Sequence, residues 1–117
     1  MRYDISRLPH SWLKGPGGGG VPYANWIQAV KSVYDRAWIL PTGIASDSGF
    51  AIATVTIARD GSVVSAEIVR RSGNAAVDDS VRTTLDRVRY AAPLPDDAKE
   101  DQRTISIKFD VNAKLLG

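Results

Sequence analysis

The chain has no cysteine and a single histidine, His10. The first absence removes disulfides, thiol nucleophiles and cysteine-ligated metals together. With one histidine, placed far from any other candidate group, there is no Ser–His–Asp arrangement and no histidine-built metal centre. Carboxylates alone remain for acid–base work, and Asp60 reads as a turn residue while the others read as exposed faces. The expectation is a non-enzyme without cofactor or metal. Long apolar runs are also missing. None approaches the ~20 residues that cross a bilayer, and residues 1–13 lack the apolar stretch of a secretory signal. Charge of one sign is scarce as well. Lys and Arg number 15 against 13 Asp and Glu, a net +2. The basic residues are scattered, which argues against a nucleic-acid footprint.

What is present suits one soluble domain. The 117 residues are 44% hydrophobic and 24% charged, and a chain of this length buries a core without staples. Residues 1–20 contribute little to it. The run Gly15-Pro16-Gly17-Gly18-Gly19-Gly20 reads as a flexible linker behind a loose arm holding Tyr3, Leu8 and Trp12. A phosphate-cradling loop would need Gly-Lys-Ser/Thr after the glycines and a strand before them, and neither occurs. The folded domain is expected over 21–117.

The chain is organised around 50–74. Two β-rich runs, 51–58 and 63–70, flank Asp60-Gly61, the strongest short-range hairpin signal. A two-residue loop makes Arg59 face Ser62 and pairs Ile57 with Val64, Val55 with Ala66 and Ala53 with Ile68, all apolar. A three-residue loop would oppose Val55 to Ser65 and turn one strand's apolar set to water. The shorter loop is therefore expected.

Upstream, Tyr23, Trp26, Ile27, Val30, Val33, Tyr34, Ala37 and Trp38 recur at helical spacing, with Pro22 near the start and Pro41 barring continuation. Aromatics at this spacing are more often core than ligand box. Downstream, Asn74 is placed to cap a second helix whose stripe is Val77, Val81, Leu85 and Val88. Asp78 and Asp79 suit its positive N-terminal end, and Asp78 with Arg82 suits an ion pair one turn apart. After a solvated acidic loop, 96–101, the last strand is expected over 104–112. Ile105, Ile107, Phe109 and Val111 alternate there with Ser106, Lys108, Asp110 and Asn112.

The order helix, strand, strand, helix, strand implies an α+β fold. One wet sheet face places both helices on the other side, and the second helix serves as a right-handed crossover that skips a strand. The sheet is then three-stranded and mainly antiparallel, in order 2-1-3, with two open edges.

The ordered series is more specific than any one piece. It runs from Trp38-Ile39-Leu40-Pro41 through Val55-Thr56-Ile57-Ala58-Arg59-Asp60-Gly61-Ser62-Val63 to Ile68-Val69-Arg70-Arg71-Ser72-Gly73-Asn74. Val77-Asp78-Asp79-Ser80-Val81, Pro93-Leu94-Pro95 and Ile107-Lys108-Phe109 follow. Over roughly 21–111 it resembles the C-terminal domain of the TonB/TolA superfamily of envelope energy transducers. The resemblance implies a periplasmic domain tethered to the inner membrane by an N-terminal anchor and spacer, neither of which this sequence includes. A TonB-like domain would grip an extended box of outer-membrane transporters and transmit energy from inner-membrane motor proteins. A TolA-like one would bind Tol–Pal components. Val21-Pro22-Tyr23 is a partial match to the element that precedes TonB domains, and the disulfide common in TolA domains is absent.

Strand addition at the last strand would use Thr104, Ile105, Ser106, Ile107, Lys108, Phe109, Asp110 and Val111, with the Lys108 charge discouraging self-pairing. The other expectations are a homodimer through the open edges and a small-molecule domain with the aromatic helix as its wall.

Overall fold

Apolar residues at helical spacing build the first element. The computed structural model describes residues 23–117, so the expected arm and Gly-rich linker lie outside the described residues. Helix α1 (Tyr23–Ala37) buries Trp26, Val30 and Tyr34 and leaves Gln28, Lys31, Ser32 and Asp35 exposed. Trp38 follows the helix but remains on its stripe. Its N–H reaches the carbonyls of Tyr34 at 3.0 Å and Asp35 at 3.3 Å, and its ring is buried.

Three strands follow, β1 (Phe50–Ala58), β2 (Val63–Arg70) and β3 (Gln102–Asp110). They form one sheet in the order β2-β1-β3, with both neighbours antiparallel to β1. Helix α2 (Ala75–Arg87) makes the crossover from β2 to β3. Asn74 caps it as expected, its side chain accepting from the N–H groups of Ala76 at 2.9 Å and Val77 at 3.2 Å. The inward residues of β1 (Ala51, Ala53, Val55 and Ile57) meet Trp26, Val30 and Tyr34 of α1 and Val77, Val81 and Leu85 of α2 in one core. Each fully buried aliphatic side chain there contributes roughly 1.5–3 kcal/mol over its exposed state.

The hairpin corrects the sequence reading in an instructive way. Its loop has three residues, Arg59, Asp60 and Gly61, not two. Ala58 donates to the Ser62 carbonyl at 2.8 Å, and the Gly61 N–H closes the turn on the Ala58 carbonyl at 2.9 Å. Gly61 adopts φ 97°, the left-handed residue that ends a three-residue hairpin loop. Ile57 therefore faces Val63, not Val64. The pairings Val55–Ala66 and Ala53–Ile68 survive because a bulge at Val64 restores the parity that the longer loop would have lost. A second bulge leaves Val69 unpaired, and both valines are more than half exposed.

The last strand also ends earlier than expected. Asp110 closes β3, and Val111 opens a short helix, α3 (Val111–Leu116), so Val111 and Asn112 are helical. The cause is local: the Asp110 carboxylate accepts from the Ala113 N–H at 3.2 Å and caps the new helix. Val111 keeps its apolar role and is fully buried. The face opposite the helices is not uniformly wet, because Thr56 at its centre is only 9% exposed, with its hydroxyl 2.7 Å from that of Thr104.

Candidate functional site

The two sheet edges are unlike each other, which corrects the expectation of two open ones. The outer edge of β2 is covered where the strand begins. Val63 donates to the Arg89 carbonyl at 2.9 Å, Ala91 donates to the Gly61 carbonyl at 2.8 Å, and Ser62 pairs with Tyr90. Beyond that cover the edge is broken by its bulges, a common protection against further pairing. β3 is regular instead. All nine of its residues pair in register with β1 from Phe50–Asp110 to Ala58–Gln102, and no described strand pairs with its far side.

Flanking hydrogen bonds reveal which way its backbone points. Val111 donates to the Gly49 carbonyl at 3.1 Å, and Arg59 donates to the Asp101 carbonyl at 2.8 Å. Both pairs lie on the β1–β3 register. In an antiparallel ladder, residues alternate between exchanging hydrogen bonds with the partner and facing away from it. The odd-numbered residues of β3 therefore bond to β1. The even-numbered ones, including Thr104, Ser106 and Lys108, turn N–H and C=O to the open edge.

Of the sequence-predicted residues, Thr104, Ser106 and Lys108 are thus placed at the edge with exposed side chains. Ile107 and Phe109 are buried and Ile105 is half-buried beneath them, so they support the strand rather than offer it. Asp110 ends the edge as a helix cap, and Val111 lies outside the strand. Lys108 is held loosely, 4.3 Å from the centre of the Phe50 ring and 3.6 Å from the Asp110 carboxylate.

The floor beneath the edge is α1, which runs along β3 in the same direction. At one end Arg103 stacks on the Tyr23 ring at 4.2 Å; at the other Phe109 meets Trp38 edge-on at 5.2 Å. The aromatic stripe is therefore core, and Trp26 adds a hydrogen bond from its indole N–H to the Ala92 carbonyl at 2.9 Å. A shallow cleft of about 230 Å³ lies elsewhere, lined by Ala37, Ile39, Ser80, Thr83, Thr84 and Arg87. Two of its hydroxyls are already engaged, Ser80 donating to the Val77 carbonyl and Thr84 to the Ser80 carbonyl.

A latch at the start of β3 was missed in the sequence. The loop 96–101, expected to be merely solvated, buries Ala98, and Leu94 just before it is buried as well. Arg59 donates to the carbonyls of Ala98 at 2.5 Å and Glu100 at 2.7 Å. Glu100 accepts from the Tyr23 hydroxyl at 2.6 Å and from Arg103 at 2.9 Å. The Tyr23 hydrogen bond, helped by its own backbone and by Arg103, holds the Glu100 carboxyl down at about 2. Asp78 corrects a second expectation. It is only 8% exposed, and its carboxylate accepts from the Ser72 N–H at 2.8 Å. No salt bridge joins it to Arg82 among the described residues.

No curated protein and no solved structure matches the chain. A family model does: the one described as TonB C terminal matches residues 23–109, from the first turn of α1 to the end of β3. That span is most of the chain and contains both long helices and nearly all of the sheet, so the chain belongs to the TonB C-terminal family.

Proposed function

We propose that this chain is the periplasmic protein-binding domain of a TonB-like energy transducer. It grips an extended segment near the N-terminus of outer-membrane transporters by adding it as a fourth strand to β3. It passes on a pull that originates in inner-membrane motor proteins, through an anchor and spacer N-terminal to the residues described. No helix among the described residues is long and apolar enough to cross a membrane, so the tether belongs to this proposal. Family membership supports a periplasmic, non-enzymatic role in binding outer-membrane proteins.

One observation carries the finer reading: a regular nine-residue edge with outward backbone groups at Thr104, Ser106 and Lys108, beside a second edge that is covered and bulged. Five or six main-chain hydrogen bonds at ~0.5–1.5 kcal/mol net, with side-chain contacts, give affinity on the order of micromolar. A pull along the strand loads those bonds together, so modest equilibrium affinity is compatible with a firm mechanical grip.

Homodimerisation through β2 is disfavoured by its bulges and by the 89–91 segment. The reading is tested by calorimetric titration with peptides matching the N-terminal segments of the organism's outer-membrane transporters. Ser106→Ala should leave affinity nearly unchanged, because its side chain points away from the shared bonds. Ser106→Pro should weaken it at least tenfold, because an edge-facing N–H is lost. Equal affinities for the two variants would contradict a backbone grip.

A further inference from the structure

Resting on the reading of β3 as the docking edge, we infer that Tyr23, Arg59, Glu100 and Arg103 form a mechanical clamp. It fastens the point where the tether enters α1 to the start of that edge, so a pull on the tether reaches β3 without crossing the core.

The placement of the cluster is the first reason. Residues 1–22 precede Tyr23, so a pull from the N-terminal side enters the described domain at the first turn of α1. Tyr23 and Glu100 stand 77 positions apart in sequence, yet the Tyr23 hydroxyl donates to the Glu100 carboxylate at 2.6 Å. Arg103, the second residue of β3, lies over the Tyr23 ring at 4.2 Å and donates to the same carboxylate at 2.9 Å. The edge-facing Thr104 comes next. Glu100 is also held from behind. The Arg59 guanidinium donates to its carbonyl at 2.7 Å and to that of Ala98 at 2.5 Å. The Arg59 N–H donates to the Asp101 carbonyl at 2.8 Å. Arg59 directly follows β1, so the tie runs into the central strand as well. A pull along β1 and β3 loads their nine-residue ladder in shear.

The second reason is exposure. The Arg103 and Glu100 side chains are 40% and 38% exposed, and an ion pair that wet adds little to equilibrium stability. The start of α1 nevertheless needs a hold, because no acidic residue in its first turn meets the positive end of the helix. A pull there opens the helix from its first residue unless side chains resist. Tyr23 supplies the resistance and Trp26 braces it, edge-on to its ring at 6.1 Å and hydrogen-bonded to the Ala92 carbonyl at 2.9 Å. Without the clamp the pull would run along α1 and break its hydrogen bonds one after another. With it, several polar contacts take the load together.

The test is single-molecule pulling at constant load on the full chain, which has no cysteine of its own. Handles on Arg2→Cys and Ser106→Cys make the load enter ahead of Tyr23 and leave at the edge. A second pair, Lys31→Cys and Ser106→Cys, loads the exposed face of α1 beyond the clamp. With the first pair, Tyr23→Ala should shorten the lifetime of the folded domain about tenfold, as the loss of a hydrogen bond to a charged group implies. With the second pair the lifetime should be nearly unchanged. Tyr23→Phe keeps the ring over Arg103 and should fall between, and it decides by the same comparison should Tyr23→Ala fail to fold. No change with the first pair, or an equal loss with both, overturns the inference. Titration of the parent chain with a transporter-derived peptide separates the two readings. A loss specific to the first pair without peptide binding keeps the clamp and removes the transducer reading. Peptide binding at β3 without that loss does the reverse.

Discussion

Single residues show where polar groups stabilise this domain and where they cost it. Tyr34 is fully buried between α1 and Phe109, and its hydroxyl finds no hydrogen-bond partner among the described residues. Burial pushes its pKa from 10.0 up to about 12. The neutral form is the one the fold prefers, so its contribution is intact below pH 10 and is lost as pH rises toward 12. Tyr34→Phe should therefore be neutral or stabilising, by up to about 1 kcal/mol, and should flatten the alkaline limb of stability against pH. Chemical denaturation from pH 8 to 11 checks both. Glu100 works in the opposite sense. Its folded pKa lies far below its ordinary value of 4.5, so its contribution is present above about 4.5 and fades as pH falls toward 2. Glu100→Gln should shrink the loss of stability over that acid window, read by the same measurement. Neither role was legible in the sequence. Tyr34 sits on an apolar stripe like its neighbours, and the Glu100 latch joins residues far apart along the chain.

At the scale of elements, periodicity carried most of the information. The stripes of α1 and α2, the Asn74 cap and the alternation of Ile105, Ile107 and Phe109 each follow from local spacing, and the strand order from the length of the crossover. What failed was the count of residues in turns. Asp60-Gly61 announces a hairpin, but an extra loop residue and a compensating bulge at Val64 cancel in the apolar pattern, so parity alone cannot distinguish them from a two-residue loop. The end of β3 failed for a related reason: Val111 belongs to the apolar series whether it continues the strand or begins a helix. Strand parity still makes a sharp prediction. Ile107→Asp should prevent folding, because it buries an unpaired carboxylate, whereas Lys108→Asp should cost less than about 1 kcal/mol. Circular dichroism melts of the two variants decide it. Thr56→Asp, despite lying on the outer face, should be damaging, since Thr56 is buried beside the Thr104 hydroxyl. Gly61 permits a further check. A Cβ there would lie 2.6 Å from the Tyr90 ring and 2.8 Å from the Pro93 nitrogen, on a backbone at φ 97°. Gly61→Ala should destabilise by about 1–3 kcal/mol, seen as a lower urea midpoint.

Among the described residues the molecule is a three-stranded sheet with one regular, unpaired edge, the other being bulged and covered where its strand begins. The core described is built by residues from Trp26 to Val111, and deleting residues 1–20 is expected to shift the unfolding free energy by no more than about 1 kcal/mol. A larger loss would show that Tyr3, Leu8 or Trp12 is part of the core. The fold class and the edge strand were legible from the order of elements. The asymmetry of the edges was not, because it depends on the 89–91 segment folding back on β2. That asymmetry is the basis for assigning partner binding to β3. The most direct measurement is an NMR titration of the domain with N-terminal peptides of the organism's outer-membrane transporters. The account predicts shifts concentrated on β3, largest at the amides of Thr104, Ser106 and Lys108. Shifts concentrated on β2 or α1, with β3 unmoved, would contradict it.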